Sequence, residues 1–318
     1  MRALTIDLGG THANCAIVDD GKIIRSQITA TNGSTDLAPL LASLVEILKS
    51  LAKRENIPLD CFAGLAVGFC GLVNGAECRV ISTNAKYQDA PNLDLQTWTR
   101  EQFNLPLYIE NDARMALLGE RYAGAAVGFD DVVMVTLGTG IGGAAMIGGQ
   151  LLIGKHFQAG CLGGHLPVRL EGRRCTCGGV GCAESEAAGW SLPELCRTWA
   201  EFDSSALAQE EINFETLFRC ADAGDVVSKA ICNHCRKVWA TNAIALIHAY
   251  DPELLVYGGG VMHGGDHIVT YLQDYVAHNA WTPWGKVQVR ASQLGNDAAL
   301  LGAIPLITGS QRSQPNVR

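Results

Sequence analysis

The chain lacks any apolar run long enough to cross a bilayer. It is poor in proline (10 residues), in aromatic side chains (7%) and in charge (18% of residues). The charge it has is not basic, because 24 Lys and Arg against 32 Asp and Glu leave a net −8. Each shortage excludes a class of protein. A general nucleic-acid binder needs a basic face to neutralise phosphates. A disordered chain needs high charge and little apolar content, whereas 48% of these 318 residues are apolar. No low-complexity, proline-rich stretch separates domains. The opening residues Met1-Arg2-Ala3-Leu4-Thr5-Ile6-Asp7 meet an acid at once, unlike a secretory leader. What is abundant is glycine (36 residues) and cysteine (12). Irregularly spaced thiols without an export signal are expected to be reduced, some of them on metal. The expectation is a soluble cytoplasmic protein with room for two modest domains and with no membrane or nucleic-acid partner.

Residues 3–8, 13–18 and 22–29 read as three short strands, the first two joined by Gly9-Gly10-Thr11-His12 and the last two by Asp19-Asp20-Gly21. Residues 36–54 show helical spacing, with Leu40, Leu44, Ile47 and Leu51 on one stripe. The apolar run 62–69 fits a strand covered on both faces; 107–110 is another, followed by Asn111-Asp112 and a helix over 113–123. The plan then restarts: a strand at 131–137, a glycine turn at 138–143, a strand at 144–147, the turn Gly148-Gly149, a strand at 150–153 and, later, one at 254–257. Two copies of one α/β plan predict two similar lobes facing a cleft that closes by a hinge. The break is expected near 113–130, with one lobe at 1–118, a helix at 297–318 as the candidate to complete it, and a second lobe at 119–296.

Glycines in Asp7-Leu8-Gly9-Gly10-Thr11 let backbone amides approach an oxyanion, and Thr11 adds a hydroxyl donor. Asp7 is placed to hold Mg²⁺. A plain hairpin turn explains the same residues. The run Gly138-Thr139-Gly140-Ile141-Gly142-Gly143 has GxGxxG spacing but leads into a strand rather than a helix, which excludes a dinucleotide fingerprint. Gly149 to His156 resembles a P-loop yet has histidine where Ser or Thr must hold Mg²⁺. With Gly258-Gly259-Gly260 after the 254–257 strand, three glycine turns stand ready to surround one nucleotide.

His165, Cys175, Cys177 and Cys182 form H-x9-C-x-C-x4-C, with Gly178, Gly179 and Gly181 among the last ligands. One imidazole and three thiolates make a closed tetrahedral set for a structural Zn²⁺, which would fix His165 and Glu184 beside a ligand. Cys232 and Cys235 lie in a helical stretch without a partner pair and read as structure. Glu110-Asn111-Asp112 ends a strand and begins a helix. An aspartate there accepts a hydroxyl proton during attack on a phosphate, or the segment is simply a helix cap; spacing alone does not choose.

Taken in order, Asp7-Leu8-Gly9-Gly10-Thr11, Glu110-Asn111-Asp112-Ala113, Leu137 to Gly142, Gly164-His165, the Cys175 to Glu184 motif and Asp251-Pro252 with Tyr257-Gly258-Gly259 resemble the ROK family (repressors, open reading frames, sugar kinases) over nearly the whole chain. The resemblance implies an α/β fold of the actin-like ATPase (ribonuclease-H-like) type and an ATP-dependent kinase acting on the 6-hydroxyl of a hexose or hexosamine. It makes Asp112 the base and Gly71, Asn84, Asn111, His165 and Glu184 sugar ligands. Asp7 would hold Mg²⁺; Gly9, Gly10, Thr11, Gly138 and Thr139 the phosphates; Gly258 and Gly259 the adenosine side of ATP; and His165, Cys175, Cys177 and Cys182 the Zn²⁺. It also implies a homodimer.

Two positions depart from the family. Its kinases usually carry Glu-x-Gly-His, the Glu contacting ring hydroxyls, where this chain has Leu162-Gly163-Gly164-His165. Its Gly-x-Pro-Gly loop is here Gly68-Phe69-Cys70-Gly71. Both concern the sugar, so the alternatives to a glucose kinase are an N-acetylmannosamine or N-acetylglucosamine kinase and a non-catalytic sugar-sensing regulator. Regulators of the family resemble this chain plus an N-terminal helix-turn-helix.

Overall fold

The computed structural model describes residues 1–31, 35–84, 86–264 and 267–312, with the side chains of 310–312 excepted. The chain divides into two compact units. One comprises Met1–Gly128, Ile153–Ala159 and the stretch from Gln293 onward; the other comprises Phe129–Leu152 and Gly160–Ser292.

The first unit is built on β1 (Arg2–Leu8), β2 (His12–Asp19), β3 (Lys22–Ala30), β4 (Leu65–Phe69) and β7 (Leu107–Asn111), in the order β3-β2-β1-β4-β7, with β5 (Gly71–Asn74) and β6 (Arg79–Thr83) as a separate hairpin. The first three strands are antiparallel, and β1, β4 and β7 run parallel. Alternation along β1 sends Leu4, Ile6 and Leu8 into a core with Leu44, Leu48 and Leu51 of helix Ala38–Arg54. Asp7 projects to the opposite face, the side of helix Asp112–Ala123, where a Cβ on Gly68 would sit 3.5 Å from Asp7 Oδ1 and 3.4 Å from Met115 Cγ.

The second unit repeats the plan with β8 (Val132–Leu137), β9 (Ile141–Ile147), β10 (Gln150–Leu151), β11 (Leu254–Gly258) and β12 (Gln288–Ala291), ordered β10-β9-β8-β11-β12. Again the first three are antiparallel, and β8, β11 and β12 are parallel. Its core joins Val133, Val135 and Tyr257 to Trp239, Leu246 and Ile247 of the long helix Val226–Tyr250. Among the described residues no helix is long and apolar enough to cross a membrane.

Several expected elements are corrected. The first helix begins at Ala38, and its buried stripe is Leu44, Leu48 and Leu51 with Val45 and Ala52, while Leu40 and Ile47 are only partly buried. Its opening amides are capped from afar, Leu37 and Ala38 N–H donating to the Asp89 carboxylate at 2.6 and 2.9 Å. The run 62–69 is a strand only from Leu65, and 150–153 only over Gln150–Leu151. Gly142 and Gly143 lie in β9 rather than in a turn. Gly143 is a glycine because the 160–163 backbone crosses it: a Cβ would sit 3.0 Å from Gly163 N and 3.2 Å from Gly160 O. The expected 297–318 helix is two helices, Ala298–Leu301 and Ala303–Arg312, and 313–318 lie outside the described residues.

The helix carrying Asp112 is held against the C-terminal helices by backbone proximity. A Cβ on Gly119 would overlap the carbonyl oxygen of Ala298, and one on Gly302 that of Met115. Gly119→Ala is therefore expected to destabilise the first unit by about 1–3 kcal/mol through overpacking, read as a lower melting temperature. An unchanged melt would show that the crossing relaxes freely.

Candidate active site

Parallel strands present their C-terminal ends along one edge, the usual ligand edge of an open α/β sheet. In the first unit Asp7, Gly68 and Glu110 stand in register across β1, β4 and β7, as do Leu8, Phe69 and Asn111. Helix Asp112–Ala123 starts at the end of β7, and its N-cap is Asn111. The Asn111 carboxamide oxygen accepts from the Ala113 and Arg114 amides at 3.1 and 3.2 Å. Its Nδ2 donates to Asp112 Oδ1 at 2.9 Å and to the Gly71 carbonyl at 3.2 Å. Ala113 N–H also donates to Asp112 Oδ1, at 2.9 Å. Two donors thus fix one carboxylate oxygen of Asp112, and the helix cap is Asn111.

Burial pushes the Asp112 carboxyl up to about 6, against these same hydrogen bonds. Asp7 rises to about 7, first from burial and then from the Asp112 charge. Two neighbouring buried carboxylates, one raised further by the other's charge, form a hard oxygen donor set, the kind a divalent cation relieves. The Asp7 side therefore fits Mg²⁺.

The glycine turn between β1 and β2 is pinned at one end. Gly9 N–H donates to the His12 carbonyl at 3.0 Å, and the Tyr87 hydroxyl donates to the Gly9 carbonyl at 2.8 Å. Tyr87 is fully buried, adopts φ 54° and packs its ring 5.8 Å from that of Phe69. No local pattern marks this residue; only the fold brings it to Gly9. Gly71 pairs with Thr83, so Asn84, exposed, comes one residue beyond its partner. A Cβ on Gly71 would approach Ser82 O to 2.7 Å.

In the second unit the corresponding edge carries glycines. Gly138 accepts from Gly189 N–H at 3.0 Å, and Thr139 from Trp190 N–H at 2.9 Å. Gly259 has φ +89°, and a Cβ there would overlap the Leu137 carbonyl, so the 258–259 turn lies against the end of β8. Gly138, Thr139, Gly258 and Gly259 are therefore brought together. Glu184, buried in helix Ala183–Ala187, accepts from Ile141 N–H at 2.9 Å and from the Trp190 indole at 3.2 Å. Gly140 makes room for it, since a Cβ would stand 2.7 Å from Glu184 Oε2. Trp190, like Tyr87, is a positioning group that spacing does not reveal.

His165, Cys175, Cys177 and Cys182 converge, their ligand atoms all within 4.8 Å of one another. Cys175 Sγ is 3.4 Å from His165 Nδ1, and Cys177 Sγ is 3.7 Å from Cys182 Sγ. The intervening glycines are required: Gly178 and Gly181 have φ +89° and +70°, and a Cβ on Gly181 would overlap the Arg169 carbonyl. A closed set of three sulfurs and one imidazole nitrogen fits tetrahedral Zn²⁺. His165 ends a 3₁₀ turn, Gly163–His165, anchored by Asn242 Nδ2 on the Gly163 carbonyl at 2.9 Å. Leu162, just before it, is 37% exposed. Cys232 and Cys235 are buried in helix Val226–Tyr250, where burial raises the Cys232 thiol to about 11. That environment makes them inert packing groups.

The raised Asp7 carboxyl has a stability consequence. Its ordinary value is 3.8 and its folded value about 7, so the folded chain keeps a proton that the unfolded chain has released. The stability this confers is complete below pH 3.8 and lost as pH rises through about 7. Asp7→Asn, without divalent cations, is expected to stabilise the protein at pH 8 by about 1–3 kcal/mol and to change little near pH 4. A melting temperature at pH 8 no higher than that of the wild type contradicts this.

Known proteins are similar to this chain over nearly its whole length. A glucokinase of Thermotoga maritima is 29% identical over 318 residues, 96% of this chain and 97% of that protein. A xylose repressor of Caldicellulosiruptor bescii is 22% identical over 325 residues, 98% of this chain and 79% of its own length. Among solved structures, a ROK family glucokinase from Streptomyces griseus in complex with glucose and AMPPNP superposes with a TM-score of 0.82 at 26% identity, covering 96% of this chain and 99% of that one. The model of the ROK family matches residues 3–310, a span that takes in the paired acids, both glycine turns and the cysteine cluster. With this fold and these kinase relatives, the chain belongs to the ROK family.

Proposed function

We propose that the protein is an ATP-dependent kinase that phosphorylates the 6-hydroxyl of a glucose-like hexose, with Asp112 as general base. The observation that carries this reading is the Asp112 carboxylate, fixed by Asn111 Nδ2 and Ala113 N–H beside Asp7 at the end of parallel strands. Phosphoryl transfer asks a protein for positioning and charge neutralisation more than for covalent chemistry. Asp112 takes the hydroxyl proton as the sugar oxygen forms its bond to the γ-phosphorus and the bridging oxygen leaves with ADP. Its free carboxylate oxygen is the acceptor, because Oδ1 already accepts two hydrogen bonds.

Asp7 holds Mg²⁺, which when bound neutralises phosphate charge. Gly9, Gly10, Thr11, Gly138 and Thr139 offer amides and hydroxyls to the phosphates, which is how an acidic chain binds an anion. Gly258 and Gly259 take the adenosine side. Gly71, Asn84, Asn111, His165 and Glu184 take the sugar, and His165, Cys175, Cys177 and Cys182 would hold a Zn²⁺ that fixes the His165 turn. A homodimer in the cytoplasm completes the reading by family resemblance.

A second reading, a sugar-sensing protein without turnover, is favoured by Leu162, which offers no hydrogen bond where the family's kinases usually have Glu, and by the similarity to a repressor. A coupled ADP-release assay across glucose, mannose, fructose, allose, N-acetylglucosamine and N-acetylmannosamine separates the two. Turnover is expected, highest on glucose; binding of sugar without ADP release favours the sensor.

Asp112→Asn is expected to lower kcat by about 10²–10⁴-fold while ATP binding, followed by calorimetry, persists. Near-wild-type turnover removes Asp112 as base. The base acts ionised, so wild-type kcat is expected to fall as pH drops through about 6, with Mg²⁺ moving the midpoint lower; a flat profile down to pH 5 contradicts the assignment. Metal analysis should find one Zn²⁺ per chain, and Cys177→Ser should lose it together with thermal stability. A metal-free, stable wild type overturns the zinc site.

A further inference from the structure

One buried cation behind the Asn111–Asp112 junction has no part in the chemistry above. Arg114, on helix Asp112–Ala123, is completely buried. Its Nη1 donates to Glu110 Oε1 at 3.2 Å, an i,i+4 ion pair across the strand–helix junction. Its Nη2 reaches three backbone carbonyls, those of Ile153 at 3.4 Å, Phe157 at 3.1 Å and Ala159 at 2.7 Å. Glu110 Oε1 in turn accepts the Asn111 N–H at 2.8 Å. An unbroken hydrogen-bonded path thus leads from residues 153–159 through Arg114, Glu110 and Asn111 to Asp112 Oδ1.

Residues 153–159 form a strap. The chain before and after them, 129–152 and 160–292, packs in the second unit, whereas the strap packs in the first. Two left-handed residues, Gly154 (φ +71°) and Phe157 (φ 63°), fold it back on itself. Lys155 and His156 are exposed at its tip. The same chain then continues into Leu162 and the His165 turn.

A buried ion pair contributes little net stability, because desolvating both charges offsets their attraction. What the pair does supply is geometry, and the fork of a guanidinium suits it: one edge on a carboxylate, the other on carbonyls that a single ammonium cannot span. We propose that Arg114 is a positioning residue that clamps the 153–159 strap to the Glu110–Asp112 junction and so fixes the orientation of the Asp112 carboxylate. This role rests on the kinase reading. Without the clamp Glu110 is left buried with one partner, the Asn111 amide shifts with it, and the Asn111 side chain no longer holds Asp112 Oδ1 in place.

The test compares wild type, Arg114→Lys and Gly154→Ala by thermal melting, steady-state kinetics and limited trypsin cleavage after Lys155. Arg114→Lys keeps a charge for Glu110 and is expected to fold, to lose kcat by about ten- to a hundredfold, to keep the KM for ATP, and to be cut faster at Lys155. Gly154→Ala strains the strap from its exposed side, at a positive φ and with a Cβ 2.8 Å from that of Ala159. It should reproduce the loss of kcat with Arg114 intact, and it decides the matter if Arg114→Lys does not fold. Folded variants whose kcat stays within twofold of wild type overturn the positioning role, and unchanged cleavage at Lys155 overturns the clamp. A wild type without turnover on any sugar overturns the kinase reading and the positioning role with it, while faster cleavage of Arg114→Lys still establishes the clamp, so the two failures are distinguishable.

Discussion

A carboxylate held by two donors sits partly out of water beside a second carboxylate. Much of the first unit follows from keeping Asp112 there. Desolvation favours the protonated form of both acids, the Asp112 charge adds to it at Asp7, and at Asp112 specific donors counter it. Asn111 and the Ala113 amide supply those donors to Oδ1, and they can do so because β7 ends where a helix begins. Asn111 serves two purposes with one side chain: its oxygen caps the helix and its nitrogen orients the acid. Replacing it with another good cap, such as serine, would keep the first function and lose the second.

The two units show how one topology carries two different sets of residues at the same edge. Both sheets have the same order, three antiparallel strands followed by two parallel ones. In the first, the edge at the ends of the parallel strands carries acids, Asp7 and Asp112; in the second it carries glycines, at 138–140 and 258–259. The difference is one of charge. Acids recruit a cation and accept a proton, whereas bare amides attract an anion without adding a competing charge. The glycines do more than leave room for ligand. Gly259 and Gly140 are forced by the protein itself, by the Leu137 carbonyl and by Glu184.

What could be read from sequence was what is local. The hairpins around Gly9 and Gly138 and the cysteine cluster were legible because neighbouring residues specify them: alternating strands joined by glycines, and three thiols within a few residues of one another. Asp112 was legible as a candidate but not as a decision, because a cap and a catalytic acid share the same sequence and differ only in which oxygen meets which donor. The first helix is expected over 36–54, and only its start, at Ala38, escapes the sequence for a related reason, its opening amides being capped by Asp89, far along the chain. Tyr87 on Gly9, the Ile141 amide on Glu184 and Arg114 on the strap carbonyls are bonds between segments distant in sequence, and no periodicity announces them. Gly142 and Gly143 read as a turn because glycine marks both turns and close approaches; the neighbour that makes Gly143 a close approach, the 160–163 backbone, is visible only once folded.

On the kinase reading, leucine at 162, where the family's kinases usually carry glutamate, shifts the burden of sugar recognition. A leucine accepts nothing, so on the kinase reading the acceptor for ring hydroxyls on that side is Glu184, while His165 with one nitrogen on Zn²⁺ has only an N–H to donate. Each Glu184 oxygen already accepts one bond, from Ile141 and Trp190, and a carboxylate retains further lone-pair sites. Those existing bonds lock the side chain in place, so its remaining capacity is directional. A site that loses an acceptor discriminates less against a sugar lacking the matching hydroxyl, since sharp rejection comes from buried polar groups left unpaired. Leu162 is itself in contact with solvent, and an apolar group at such an edge lowers the penalty for an apolar substituent on the sugar. On the kinase reading the consequence is a sugar site that is strict at Glu184 and permissive at Leu162.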